Sequence, residues 1–525
     1  METMDKTTLI ELLPGAFVLY VIGLYVYRMY FDRLSHIPGP KLAAASLWYE
    51  FYYDVVLKGR YTYKIRELHE EYGPIVRISP YEIHINDPEY IDTVFPGSSP
   101  RTMKYQWSQK MFGLRSSLLA TESHELHRIR RGALAHYFSV QSLRRLEPGV
   151  QSQVDKLVSR LQGLKGSGTA INLLDVFACL TGDIIGQYAF ARPYGFLEDP
   201  DFSPYWHALM IEISMNGHVL KQFGWMLPMT QAMPEWMVKI MAPQMLTLIG
   251  FQAGFRKQVI KVKEHIARGE KPSGQTTIFY DVLTNPQVRP QEKETDHLQD
   301  EAQTIIGAGT VTTGHILAIT AFYIIDNPSI REKLENELSS LMQETDGKPK
   351  WAQLEQLPYL SAVIQEGLRI GYGVSHRLQR LFPDTVLEYN GYAIPTMTPV
   401  SMTSVLIHDN VFIPSLCTRT HTTIPRANQN PQPSLFPDPR TFNPDRFLKQ
   451  PGLKKYIFSF AKGSRQCAGL NLAYAEFYLA LAALFAPGRF KWELYETDIT
   501  DVETKHDFLN TSPRLDSKGI RVFVN

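Results

Sequence analysis

Cys467 stands in the run Phe460-Ala461-Lys462-Gly463-Ser464-Arg465-Gln466-Cys467-Ala468-Gly469, which fits F-x-x-G-x-R-x-C-x-G. A lone cysteine among glycines and beside an arginine is a candidate nucleophile or metal ligand, because the thiolate is the reactive form. The plainer role for such a residue is a buried structural thiol. Gly463 and Gly469 permit close backbone approach on either side of the cysteine. Glu366 and Arg369 lie three residues apart, on one face of a helix, and can pair. Thr310, Thr312 and Thr313 fall in a long apolar stretch, where helical hydroxyls bond back to carbonyls. His127-Arg128-Ile129-Arg130-Arg131 is a cationic turn, either a solvated face or an anion site. The only other cysteines are Cys179 and Cys417, which rules out a disulfide framework and a C-x-x-C zinc site.

The elements that must hold these groups belong to a chain of 525 residues with 44% apolar and 12% aromatic residues, ample for a large core. With 54 basic against 53 acidic side chains, the net charge of +1 argues against a nucleic-acid binder and against a disordered chain. No charge occurs from Leu12 to Tyr27, and Arg28, Arg33 and Lys41 follow. This predicts one uncleaved membrane anchor with the body of the protein on the cytosolic, basic side. A cleaved signal peptide fits less well, because the charged residues before the apolar run are Glu2, Asp5, Lys6 and Glu11, not a basic set, and no small-residue cleavage site follows. His36-Ile37-Pro38-Gly39-Pro40 reads as a stiff extended hinge.

Beyond the hinge, alternation predicts strands at Ile75–Ile78 and Glu82–Asn86 around a Ser79-Pro80 turn. Helical periodicity dominates residues 120 to 370. Helices are expected at 330–341, 357–370 and 470–484, short strands at 385–405, and hairpins from Phe490 to Val524. Residues 301 to 325 are apolar enough for a second span or a central core helix, and hydropathy alone does not separate the two. The fold class is mainly α with small β-sheets (α+β): an anchor at 1–30, a hinge at 31–40 and one globular domain at 41–525.

The Cys467 run resembles the haem-ligand loop of the cytochrome P-450 family of haem-thiolate monooxygenases, and the resemblance extends from the hinge to the C-terminus. It implies haem b, with the Cys467 thiolate as axial ligand, Arg465 on a propionate, Phe460 packed near the sulfur and Gly469 close to the macrocycle. The family pattern adds His127 and Arg131 as propionate contacts, and Arg377 as a third. Glu366 and Arg369 would pair with Arg446 of Phe442-Asn443-Pro444-Asp445-Arg446-Phe447 in a structural network. Ala308-Gly309-Thr310-Val311-Thr312-Thr313 is similar to the oxygen-binding segment, which makes 301–325 a core helix and Thr312 the hydroxyl that helps deliver protons. The family's usual acid is replaced by Val311. Family topology places Tyr105, Trp107, Met111, Phe112, Ile305, Ala308, Gly309, Val374 and Phe508 around the substrate.

One stretch departs from the family. About 24 residues, 411 to 434, rich in Pro, Thr, Asn and Gln, separate His408-Asp409-Asn410 from Leu435-Phe436-Pro437, and read as an unspliced intron or a disordered loop. The resemblance implies a single-pass protein of the endoplasmic reticulum membrane, reduced by NADPH-cytochrome reductase or a cytochrome b-type donor. A cationic face of Lys454, Lys455, Lys462 and residues Arg128 to Arg145 would receive that donor. The expected reaction is hydroxylation or epoxidation of an apolar terpenoid or polyketide in fungal secondary metabolism. Val311 motivates one rival, non-hydroxylating or peroxide-dependent chemistry; the 411–434 insert motivates another, an inactivated protein.

Overall fold

A computed structural model describes residues 6–271, 277–409 and 434–525. The 411–434 insert lies, but for Ser434, outside the described residues. Helix α1 (Lys6–Tyr30) precedes the globule, and its Leu13–Tyr30 stretch, with mean hydropathy 1.3, is long and apolar enough to cross a membrane and has none of its residues buried in the fold. The hinge docks directly on the first strand: Arg77 N donates to Pro38 O at 2.7 Å.

The principal helices of the globule are α2 (His124–Ala135), α3 (Val140–Leu164), α4 (Leu173–Phe190), α5 (Pro204–Gln222), α6 (Pro243–Ala267), α7 (Thr295–Asp326), α8 (Pro328–Glu344), α9 (Pro358–Gly371) and α10 (Leu470–Leu484). Local chemistry sets several of their ends. Ser139 caps α3 by accepting from Ser142 N at 3.3 Å, and Asn327 followed by Pro328 ends α7 and opens α8. Helix α7 is apolar nearly all round because it runs through the core, with 20 of its 32 residues buried, so it is not a second span. Its closest neighbour is α4. Gly314 makes that approach possible, since a Cβ there would lie 3.1 Å from the Ala178 nitrogen.

A four-stranded sheet contains β1 (Ile75–Arg77), β2 (Ile83–Ile85), β3 (Leu378–Arg380) and β4 (Val400–Met402), in the order β1-β2-β4-β3. The β2–β4 pairing is parallel and the others antiparallel. Near the C-terminus, β5 (His506–Phe508) and β6 (Asn510–Ser512) form a hairpin that lies under α5 and beside α7. Leu387–Tyr389 pairs with Tyr392–Ile394 in a second hairpin, and Arg521–Val524 joins Ile171–Asn172 and Trp492–Leu494 in a small sheet. The architecture is a mostly helical body with small sheets at its margins.

Candidate active site

The Cys467 loop is fixed by its own backbone and by the segment around Pro96. Cys467 N donates to Phe460 O at 3.0 Å, and Ser464 N to Pro96 O at 2.9 Å. Gly463 takes φ +71°, and any Cβ there would run into the Phe95 and Pro96 carbonyls, so only glycine fits. Burial pushes the Cys467 thiol pKa up. The Gly469 amide, the charge of Arg131 and the Leu470 amide at the start of α10 act the other way, favouring the thiolate. Arg131 also braces the loop from α2, donating to Gln466 O at 3.0 Å. Yet the desolvated Cys467 side chain keeps open surface. Open surface deep inside protein marks an internal void.

Helix α7 presents an unpacked stripe as well. Thr304, Gly307, Ala308, Gly309, Val311, Thr312 and His315 keep exposed area, while Ile305, Ile306, Thr310, Thr313 and Gly314 are buried. At 100° per residue the exposed set spans a sector of about 200°.

Four basic side chains, three of them Arg or Lys, cluster near the loop. Arg465 gives its terminal nitrogens to Thr121 O and Glu122 O, each at 2.7 Å, and its buried Nε has no acceptor. Burial lowers its pKa to about 10. Arg380 falls to about 9 through burial and the charge of Arg465. Burial, Arg380 and Arg465 also push Lys104 well below its ordinary value. His127 is driven to about 2 by burial and then by Arg465, Lys104, Arg131 and Arg380. None of these groups forms an ion pair among the described residues. So much unpaired positive charge in a desolvated place is complementary to a ligand that brings more than one carboxylate.

A cytochrome P450 family model matches residues 38–412 and 423–518. The chain belongs to the cytochrome P450 family. It is 40% identical over 531 residues to a cytochrome P450 monooxygenase of Ascocoryne sarcoides, covering 98% of each chain. It is 38% identical over 514 residues to the tryptophan 6-hydroxylase fscE of Fusarium equiseti, covering 97% of this chain and 95% of that one. The N-acetyltryptophan 6-hydroxylase ivoC of Emericella nidulans is 37% identical over 512 residues, with 96% and 95% coverage. The protein is thus an oxidoreductase of the P450 monooxygenase class, akin to fungal secondary-metabolism enzymes, and the family implies haem b held through a thiolate.

The residues present fit that group: an accessible thiol stands beside unpaired cations that suit two propionates. In this P450, Phe460 lies half-buried near the loop, its ring 5.6 Å from that of Tyr474. Gly469 sits where a Cβ would come 4.0 Å from the Cys467 sulfur. Thr312 occupies the α7 stripe and donates to Ala308 O at 2.9 Å.

Glu366 and Arg369 form a buried bidentate pair with both contacts at 2.8 Å, and Arg446 Nε adds a bond to Glu366 at 3.1 Å. Arg369 further donates to Pro439 O at 2.6 Å and Thr441 O at 3.2 Å. Burial opposes the Arg369 charge, but Glu366 outweighs it and holds the pKa above its ordinary value.

Two expectations are corrected. Arg377 does not join the cations: its Nε donates to Glu82 at 2.9 Å and its NH2 group to Glu50. Strand alternation explains this, since Arg377 and Gln379 both bond Glu82 on one face of β3 while Arg380 lies on the other. Gly309 keeps part of its surface, and a Cβ there would meet Ile185 of α4 at 2.9 Å, so glycine also lets the two helices approach. Met111, Ile305 and Phe508, at 6%, 8% and 3% exposure, are packed among other side chains. The Phe508 ring lies 5.7 Å from that of His506 and 6.3 Å from that of His218, on the α5 side of the hairpin. Tyr105, Trp107, Phe112 and Val374 stay half-buried, and Ala308 is exposed on the stripe. Sequence reasoning missed Arg380 and Lys104; the parity of β3 was the available signal for the first, and nothing local marked the second.

Proposed function

We propose that this P450 is held by α1 in the endoplasmic reticulum membrane, with residues 41–525 as one catalytic domain on the cytosolic side. It accepts electrons from NADPH-cytochrome reductase or a cytochrome b-type donor, and inserts one oxygen atom into a C–H or C=C bond of an apolar small molecule, a terpenoid or polyketide. The observation that carries this reading is the accessible thiol of Cys467 beside unpaired cations.

The haem, when bound, supplies dioxygen activation, which a thiolate ligand favours by electron donation. The chain's residues do the rest. The Gly469 and Leu470 amides and Arg131 favour the anionic sulfur. Lys104, His127, Arg131, Arg380 and Arg465 receive the propionates, and Phe460 and Gly469 shape the sulfur's surroundings. Thr312 offers a hydroxyl on the α7 stripe. Glu366, Arg369 and Arg446 hold the segment at 437–446 against α9. Exposed Lys454 and Lys455, with Arg128, offer positive charge to an acidic electron donor.

A second reading, aromatic hydroxylation of an indole amino acid, is favoured by the two relatives named as tryptophan and N-acetyltryptophan 6-hydroxylases. The test is the carbon-monoxide difference spectrum of the reduced protein, followed by Soret shifts with tryptophan, N-acetyltryptophan and a sesquiterpene. A red-shifted band lost in Cys467→Ala is expected, and its absence in the wild type would overturn the assignment. Tight binding of tryptophan but not the sesquiterpene selects the second reading.

A further inference from the structure

Residues 115–122, a stretch of bends and turns before α2, are gripped from two sides. On one side stand the first two turns of α7. Asp300 Oδ2 accepts the Arg115 and Ser116 amides, both at 2.8 Å, and Glu301 Oε2 accepts the Leu118 amide at 2.8 Å. His297 Nδ1 lies 3.0 Å from Ser116 Oγ. Asp300 and Glu301 are buried, so losing either one leaves backbone amides unsatisfied away from water. His297 and Glu301 belong to the helical face that continues, in steps of three and four residues, through Thr304, Ala308, Val311 and His315. The segment therefore sits at the end of the open stripe.

On the other side the same residues carry basic groups. Leu119 O accepts from Lys104 Nζ, and Thr121 O and Glu122 O accept from Arg465, each at 2.7 Å. Ser123 O takes a further bond from Arg465 at 3.2 Å. Among the described residues these three carbonyls are the only hydrogen-bond partners of the Arg465 guanidinium, and Leu119 O is the only one of the Lys104 ammonium. Arg130 of α2 stitches the middle, donating to Thr121 Oγ1 at 2.7 Å and Ser116 Oγ at 2.9 Å, with Glu292 3.0 Å behind it. Glu301 and Lys104 thus grip adjacent residues, one by its amide and the other by its carbonyl.

We infer that Asp300 and Glu301 are positioning residues for haem binding: through residues 115–122 they hold Arg465 and Lys104 in place to receive the propionates. This rests on the haem-binding reading above and extends it to α7. Neither carboxyl touches the haem itself. Without one of them the amides at 115–118 are released, and the carbonyls a few residues further on lose their fixed places. Arg465 and Lys104 must then be ordered by the ligand as it binds, which lowers affinity.

The test uses the full-length, haem-loaded protein, with haem transfer to apomyoglobin and hydrogen–deuterium exchange as readouts. Asp300→Ala and Glu301→Met should each release haem about tenfold faster. Asp300→Asn and Glu301→Gln keep an acceptor oxygen and should stay within about threefold of wild type. Exchange in peptides covering 112–123 should rise in the Ala and Met variants, while peptides of α10 exchange as in wild type. In Arg465→Met or Lys104→Met protein, Glu301→Met should add less than about twofold to haem loss, a non-additivity that a general loss of stability would not give.

Faster exchange at 112–123 with unchanged haem loss overturns the inference. So does unchanged exchange there, or a tenfold effect that persists undiminished in both the Arg465→Met and Lys104→Met backgrounds. If Glu301→Met does not fold, Glu301→Asp, which withdraws the carboxyl by one methylene, takes its place with the same expected sign and the same overturning results. A wild type with no carbon-monoxide band would instead sink the haem reading, while exchange at 112–123 still judges the hold of Asp300 and Glu301.

Discussion

The ammonium of Lys221, fully buried on α5, lies 2.6 Å from Glu50 and 2.9 Å from Asp54. The same cluster takes in His218, 3.3 Å from Asp54, and His376, 3.0 Å from Asp507. Ser375 and Thr62 donate to Asp507 at 2.8 Å and 2.6 Å. It therefore ties α5 to the segment at 50–54, to residues 375–376 just before β3 and to the C-terminal hairpin. Lys221 stands among Asp54, His218 and His376, the group whose atoms are close enough to hold a metal, so the chain's own cation already balances those acids.

Removing one partner of a buried ionic group leaves the others uncompensated. Lys221→Met should therefore lower unfolding free energy by about 3–5 kcal/mol, read from urea denaturation. Lys221→Met combined with Glu50→Gln should recover part of the loss. Equal stability of Lys221→Met and wild type would show the network to be dispensable.

Arg380 and Arg377 are three residues apart and should fail differently. Arg380→Ala removes a cation that has no protein carboxylate, so it should weaken haem retention about tenfold or more while leaving the apoprotein fold intact. Arg377→Ala leaves Glu82 without its guanidinium and Glu50 with Lys221 alone, and should destabilise by about 3 kcal/mol or more, whether haem is bound or not. Haem transfer to apomyoglobin measures the first effect and denaturation of the apoprotein the second.

Glu301 supplies a pH dependence. Burial raises its pKa from 4.5 to about 7, against the opposing pull of the Leu118 amide at 2.8 Å and the charge of Arg130. Between those values the folded protein holds a proton that the unfolded chain has lost, so this group makes stability fall as pH rises from 4.5 to about 7. At about 1.4 kcal/mol per pKa unit the loss is of order 3 kcal/mol. Glu301→Gln should flatten that part of the urea-denaturation profile. A slope identical to wild type would refute the assignment.

Arg369→Lys should not restore what Arg369→Ala removes. The guanidinium spans both Glu366 oxygens and still reaches the Pro439 and Thr441 carbonyls, a fork that a single ammonium cannot reproduce. Both variants should lose more than about 2 kcal/mol and accumulate as haem-free protein, measured by the ratio of Soret to 280 nm absorbance.

Much of this protein is legible in its amino-acid sequence. The Cys467 loop is a local object: glycine at 463 is demanded by a backbone turn against Pro96, and the thiol, arginine and helix start sit within ten residues of one another. The apolar run at the N-terminus, the hinge, and the helices and strands follow from periodicity and from proline and glycine positions. The Glu366–Arg369 pair follows from helical spacing alone.

What tertiary structure decided is which of several equivalent residues meet. Arg377 and Arg380 are both arginines on one short strand or at its edge, and only the pleat assigns one to Glu82 and the other to the neighbourhood of Arg465. Lys221 and Asp54 are 167 residues apart, and nothing in either neighbourhood announces a fully buried ammonium. By sequence His315 is one more residue of an apolar helix, and the Thr511 hydroxyl beside its ring comes from the C-terminal hairpin. Short-range geometry is written in adjacent residues, because bond angles and hydrogen bonds act over a few positions. Charge partners across a core depend on how separate elements pack, and the energies that select them exist only once water has been excluded.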